Sequence, residues 1–153
     1  MPSHQELFED LIAALSSSIG QELPIEDGIC AIENQIGEVV INIELPESSE
    51  QLLLHRMLAP VPAQPDVREA RALQLLSLNS HQMQMSGHWF CIDPDGQAIH
   101  LMTSRPIKDL EVGEFEKMAE NFIAMGSDLS EILQGEEIEL INSDAIPNEG
   151  IAP

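Results

Sequence analysis

Glu38-Val39-Val40-Ile41-Asn42-Ile43-Glu44-Leu45 is the stretch on which the fold turns. Its residues alternate. Val39, Ile41, Ile43 and Leu45 fall on one side of an extended chain, and Val40, Asn42 and Glu44 on the other. Strand side chains point to opposite faces with a period of two, so the segment reads as a β-strand with one buried face. Its neighbours fit the same sheet. Upstream, Ile29 to Glu33 is a short apolar strand that follows Pro24 and the Asp27-Gly28 turn signal, and Asn34 to Gly37 links the two strands. Downstream, Pro46 to Glu50 is a polar break and Gln51 to Leu58 a third strand. Links this short favour an antiparallel meander, because parallel neighbours need a long crossover.

Working outward, the chain opens with a helix. Ser3 and Glu6 have the spacing of a capping box, and Leu7, Phe8, Leu11, Ile12, Leu15 and Ile19 follow on one helical face up to Gly20, a natural stop. Beyond the third strand, Ala59 to Pro65 holds Pro60, Pro62 and Pro65 and reads as a stiff extended connector. Asp66 is expected to cap a second helix, Val67 to about Ser80, with Glu69 three residues on. Its Ala70, Ala72, Leu73, Leu75, Leu76 and Leu78 cover more than one face. A helix that is apolar almost all round is buried on two sides. In a chain this small, one side is expected to meet the sheet and the other a second subunit, unless the last helix covers it. A fourth strand, His88 to Asp93, turns through Asp93-Pro94-Asp95-Gly96 into a fifth, Gln97 to Ser104, which Pro106 ends. The last helix starts near Asp109 to Glu111, repeats Phe115, Met118, Ala119, Phe122, Ile123, Leu129 and Leu133, and ends at Gly135. The order α-β-β-β-α-β-β-α predicts an α+β fold, a twisted antiparallel sheet packed by helices, as a homodimer. Residues 1–135 form this domain. Residues 136–153, acidic and without a basic residue, are expected to be a flexible tail, in which Ile138-Glu139-Leu140-Ile141 could pair weakly with an edge strand.

Composition narrows the function. Against 27 Asp and Glu stand six Lys and Arg, a formal charge of −21. Such a field repels nucleic-acid phosphates and anionic membrane surfaces, so neither is an expected partner. No apolar run approaches the roughly 18 residues of a membrane span. The opening Met1-Pro2-Ser3-His4-Gln5-Glu6 has no basic-plus-apolar signal, and Cys30 and Cys91 sit in apolar strands as expected of reduced, buried thiols. Both point to a cytoplasmic protein. No phosphate loop, nucleophile elbow, Cys-x-x-Cys or His-Glu-x-x-His is present. His81, His88 and Cys91 match no zinc spacing, so surface and strand histidines are expected there. A Cys91–His100 pair across the hairpin would need an electropositive setting that this charge does not offer. Met83 and Met85 suit either partner binding or gap filling at a subunit contact. The chain is expected to be no enzyme, with no cofactor and no metal.

Several stretches together resemble the class I type III secretion chaperones, the Tir-chaperone-like family. The likeness runs from about Leu7 to Leu133. It rests on the first helix Leu7-Phe8-Glu9-Asp10-Leu11-Ile12, the strand Asp27-Gly28-Ile29-Cys30-Ala31-Ile32, the helix Leu73-Gln74-Leu75-Leu76-Ser77-Leu78-Asn79 with its Leu-x-x-Asn-like ending, the hairpin Trp89-Phe90-Cys91-Ile92-Asp93-Pro94-Asp95-Gly96, and the anchors Phe115 and Phe122. The proline-heavy connector and the long tail depart from the pattern. The resemblance implies a homodimer in a bacterial cytosol that binds the N-terminal segment of a secreted effector in extended form. It keeps that segment soluble and export-competent without ATP, with the secretion ATPase as a further partner. On this reading Phe8, Ile12, Ile29, Ala31, Val40, Leu53 and His55 are candidates for effector binding, and Leu73, Leu76, Leu78 and Trp89 for the dimer contact. The same fold can also sequester a regulator and couple secretion to transcription. An enzyme with an unrecognised Cys–His or metal site is the third reading.

Overall fold

Residues 1–135 are described by the structure, a computed structural model; the expected tail, with its Ile138–Ile141 run, lies outside the described residues. The elements are α1 (His4–Ile19), β1 (Ile29–Glu33), β2 (Val39–Glu44), β3 (Gln51–Pro60), α2 (Pro65–Leu78), a single turn α3 (Gln82–Met85), β4 (His88–Ile92), β5 (Ala98–Pro106) and α4 (Val112–Leu133). The strands form one sheet in the order β1-β2-β3-β5-β4. β1 on β2, β2 on β3 and β4 on β5 run antiparallel, as their short links dictate. The α+β architecture is the one expected, with α3 as an unforeseen addition.

Two compact units divide the described chain: Met1–His55 with Ser104–Ile123, and Arg56–Thr103 with the chain from Ala124 onward. In the first unit, Ser3 caps α1 as its spacing demands. Its hydroxyl accepts from the Glu6 N–H at 3.1 Å, and its own N–H donates back to the Glu6 carboxylate at 2.6 Å. Gly20, in the left-handed conformation, ends the helix. The apolar stripe Phe8, Leu11, Ile12 and Leu15 is buried. The alternation of β2 becomes a buried row across the sheet: Cys30 faces Ile43, which faces Leu54, and all three are closed to solvent. Phe115, Ala119 and Phe122 of α4 complete this core.

The second unit corrects one expectation. Asp66 does not cap α2. Gln64 holds the cap position without a side-chain bond and Pro65 starts the helix, which places Asp66 in the first turn. Proline suits that first position, because its fixed φ is helical and its missing N–H would have had no partner. On α2, Arg71, Leu75 and Leu78 are buried, whereas Leu73 and Leu76 on the opposite side, the one expected to meet a second subunit, are 61% and 66% exposed in the single chain. At the hairpin, the Asp93 carboxylate accepts from the N–H groups of Gln97 and Ala98 and fixes the turn. On α4, the Ser130 hydroxyl and the Gln134 amide both donate to the Leu58 carbonyl at 2.7 Å. Gly126 lies against the buried Arg56, where a Cβ would come within 2.8 Å of the arginine stem.

Candidate functional site

Register decides what the other face of β1–β2–β3 carries. Ile29 stands opposite Glu44, which stands opposite Leu53; Ala31 stands opposite Asn42, which stands opposite His55. These two rows point away from the buried Cys30–Ile43–Leu54 row, because neighbours in a strand alternate faces. Ala31 is exposed and the other five are half-buried. Polar cross-links tie the rows: His55 meets the Glu44 carboxylate at 3.0 Å, and the Asn42 amide donates to the His55 carbonyl at 3.3 Å. The surface is therefore a fixed sheet face of mixed apolar and acidic character.

The two edges of the sheet differ. At β4, the Asn79 side chain at the end of α2 behaves as a miniature strand. Its carbonyl accepts from the Phe90 N–H at 2.8 Å, and its amide donates to the Phe90 carbonyl at 3.1 Å. Both outward groups at the middle of that edge are thereby occupied. At β1, Glu26 and Ile29 exchange both backbone bonds around a two-residue turn, in which Asp27 and Gly28 have φ of 54° and 78°. Positive φ at both positions is the type I′ geometry that glycine at the second position eases. This turn uses the outward groups of Ile29. By alternation, Cys30 then bonds toward β2, and Ala31 directs its N–H and C=O outward from the edge. A bulge follows, where Val40 is the extra residue between Ile41 and Val39.

Beside this edge runs a groove of about 370 Å³ lined by Leu23, Pro24, Ile29 and Ala31 together with Gln21, Glu22, Glu26 and Glu33. Leu23 is buried and Ile29 half-buried, whereas the three glutamates are exposed. Edge backbone groups and apolar pockets are what strand addition uses in general, and here both lie within a rim of carboxylates.

The structure gathers Ile29, Ala31, Leu53 and His55 on this face. It does not bring Phe8, Ile12 and Val40 there: Phe8 and Ile12 lie in the core with Leu11 and Leu15, and Val40 is buried at the bulge. An amphipathic stripe looks the same in sequence whether it meets its own core or a guest, so the sequence could not separate them. Among the dimer candidates, Leu73 and Leu76 are exposed and Trp89 is half-buried, but Leu78 is part of the core. Sequence reasoning missed Asn79 as an edge plug; it was legible only as the last residue of a helix pattern.

Burial works against activation of either cysteine. The hairpin register does set Cys91 opposite His100. Burial, and secondarily the Asp93 charge, push the Cys91 thiol up, and its sulfur lies 3.2 Å from that of Met102. Burial likewise raises the Cys30 thiol. A nucleophilic cysteine needs the opposite shift. Among the described residues, no group of three His, Cys, Asp or Glu side chains is placed to hold a metal, and no helix is long and apolar enough to cross a membrane.

No curated protein matches the sequence. Solved structures match in fold. The chain is similar to a structure of the ExsC–ExsE complex at 18% identity and a TM-score of 0.72, covering 90% of this chain and 100% of that one. It is similar to a structure of the HopA1–SchA chaperone–effector complex at 19% identity and a TM-score of 0.65, covering 86% and 99%. It is similar also to the Yersinia pestis type III secretion chaperone SycH in complex with a stable fragment of YscM2, at 14% identity and a TM-score of 0.58, covering 80% and 98%. Residues 10–130, most of the chain and nearly all of its helices and strands, match the model of the Tir chaperone protein (CesT) family, and the chain belongs to that family.

Proposed function

We propose that this protein is a type III secretion chaperone that holds the N-terminal segment of a secreted effector in extended, export-competent form in a bacterial cytoplasm. The observation that carries the reading is the half-exposed face of Ile29, Ala31, Leu53 and His55 beside the outward backbone of Ala31. An extended guest adds a strand at β1 through sequence-tolerant backbone bonds, and its alternate side chains settle in the adjoining groove. A disordered guest can cover a large surface in this way and be released again without a chemical step. Family membership and the fold shared with a solved chaperone–effector complex and with a type III secretion chaperone bound to a protein fragment support this role.

The same reading gives the protein no catalytic task, and the raised Cys91 thiol agrees with that. It also makes the chain a homodimer, with the exposed Leu73 and Leu76 of α2 as the apolar contact. The secretion ATPase is then the recipient to which the loaded dimer is brought.

The test is co-expression with secreted proteins encoded in the same genome, followed by size-exclusion chromatography. A complex that contains an effector, needs only its N-proximal segment, forms without ATP and is abolished by Leu53→Glu is the expected result. Absence of any such complex, or one that L53E leaves at full strength, overturns the reading.

A further inference from the structure

The charge around the β1 edge narrows the chemistry of the guest. Residues 1–55 contain eleven Asp and Glu and not a single Lys or Arg. Of the cations in the same unit, Arg105 is committed to Glu114 at 3.5 Å, and Lys108 and Lys117 belong to the segment after β5. Glu22, Glu26 and Glu33 stand exposed around one groove, over the apolar surface of Leu23, Pro24 and Ile29.

Resting on the strand-addition reading above, we propose that the β1 edge and its groove select an extended segment with Lys or Arg at alternate positions and apolar residues between them. A strand paired with Ala31 places every second side chain on the face of Ile29, Ala31 and Glu33. A residue there meets apolar surface first and carboxylates beyond it. Lys and Arg match that sequence of environments, because their aliphatic stems cover apolar groups while their charged heads reach outward. The intervening side chains fall on the side of Cys30 and Ile32, where apolar residues suit. A like charge set against the three glutamates would be repelled, so the rim rejects acidic segments as well as favouring basic ones. The occupied backbone of Phe90 at the other edge makes β1 the edge where this selection operates.

The probes are synthetic peptides of about eight residues, a common strand length, alternating Lys-Val, Ser-Val and Glu-Val. Binding to the whole protein is followed by titration calorimetry and by the amide NMR shift of Ala31. The Lys-Val peptide is expected to bind about tenfold tighter than Ser-Val, the combined effect of three partly exposed ion pairs. Glu-Val should not bind. The triple variant E22Q/E26Q/E33Q should erase the preference. The triple variant E120Q/D128N/E131Q on α4 alters net charge equally and should leave it intact. Ala31→Pro removes an outward N–H at an edge position where proline is tolerated, and should weaken all binding.

Equal binding of Lys-Val and Ser-Val, or equal losses from the two triple variants, overturns the charge selection. If Ala31→Pro still weakens the peptides in that case, strand addition at β1 stands. Peptide binding indifferent to Ala31→Pro, or no binding by any peptide, overturns both.

Discussion

At the scale of single residues, Asn79 does the work of a whole strand. One planar amide supplies the donor and the acceptor that Phe90 needs, at 3.1 and 2.8 Å. Removing it leaves a backbone N–H and C=O at a half-buried edge without those partners, a loss of about 1–3 kcal/mol. Asn79→Ala should lower the urea-unfolding free energy by that amount. Asn79→Asp keeps an acceptor for the N–H but offers no donor to the carbonyl, and should fall between the two. A variant as stable as the wild type would show the plug to be incidental. The sequence could flag Asn79 as a helix ending but not as an edge partner, because nothing local says that Phe90 lies beside it. His88 tells a similar story. Its Nδ1 faces the carbonyls of Met85 and Ser86 at 3.0 and 3.1 Å, so that nitrogen carries the proton and donates. Burial holds the ring's pKa below its ordinary value, and the two carbonyls only partly counter this. The unfolded chain therefore binds a proton more readily than the folded one. Stability is full above an unfolded pKa of about 6.5 and is lost as the pH falls from there toward the depressed folded value. A urea midpoint that declines over this window in the wild type, and not in His88→Gln, is the expected signature. A flat profile would remove His88 as the cause.

At the scale of elements, the strongly periodic segments were legible and the ones governed by competing local rules were not. The cap of α1 could be read because Ser3 and Glu6 satisfy each other without help from elsewhere. The start of α2 could not, because Pro65 and Asp66 both suit a helix start and proline took the first position. Leucines all along α2 suggested two covered sides, one within the chain and one against a second subunit, and the side of Arg71, Leu75 and Leu78 is the one buried within the chain. Leu73 and Leu76, three apart, share the opposite side, and two exposed leucines on one helix face are the kind of surface that a second copy covers. Since Leu76 makes little of the chain's own core, Leu76→Asp should halve the mass measured by light scattering while leaving the circular dichroism unchanged. A dimer that survives the charge, or a wild type that is already monomeric, would take α2 out of the interface.

At the scale of the whole molecule, the order of helices and strands followed from period and punctuation, but their neighbours did not. That β5 lies between β3 and β4, with β1 and β4 left as the edges, is a property of tertiary pairing that no local pattern encodes. The candidate face was half-legible for the same reason: alternation marked Ile29, Ala31, Leu53 and His55, and only register could align them and remove Phe8, Ile12 and Val40. Charge is the one molecular property that the sequence states directly, and it has a thermodynamic consequence. With −21 formal charges, the folded state crowds like charges that the unfolded chain can spread apart. With only six Lys and Arg against 27 Asp and Glu, and with a pair such as Arg105 and Glu114 partly exposed, salt has little attraction to weaken and much repulsion to screen. Raising NaCl from about 10 to about 300 mM shortens the Debye length from about 30 Å to under 10 Å. The urea midpoint should rise over that range, opposite to the behaviour of a fold held together by surface ion pairs. Binding of a basic guest, which relieves the same repulsion, should weaken over it. A midpoint that falls with salt would mean that attraction, not repulsion, dominates the electrostatics of this chain.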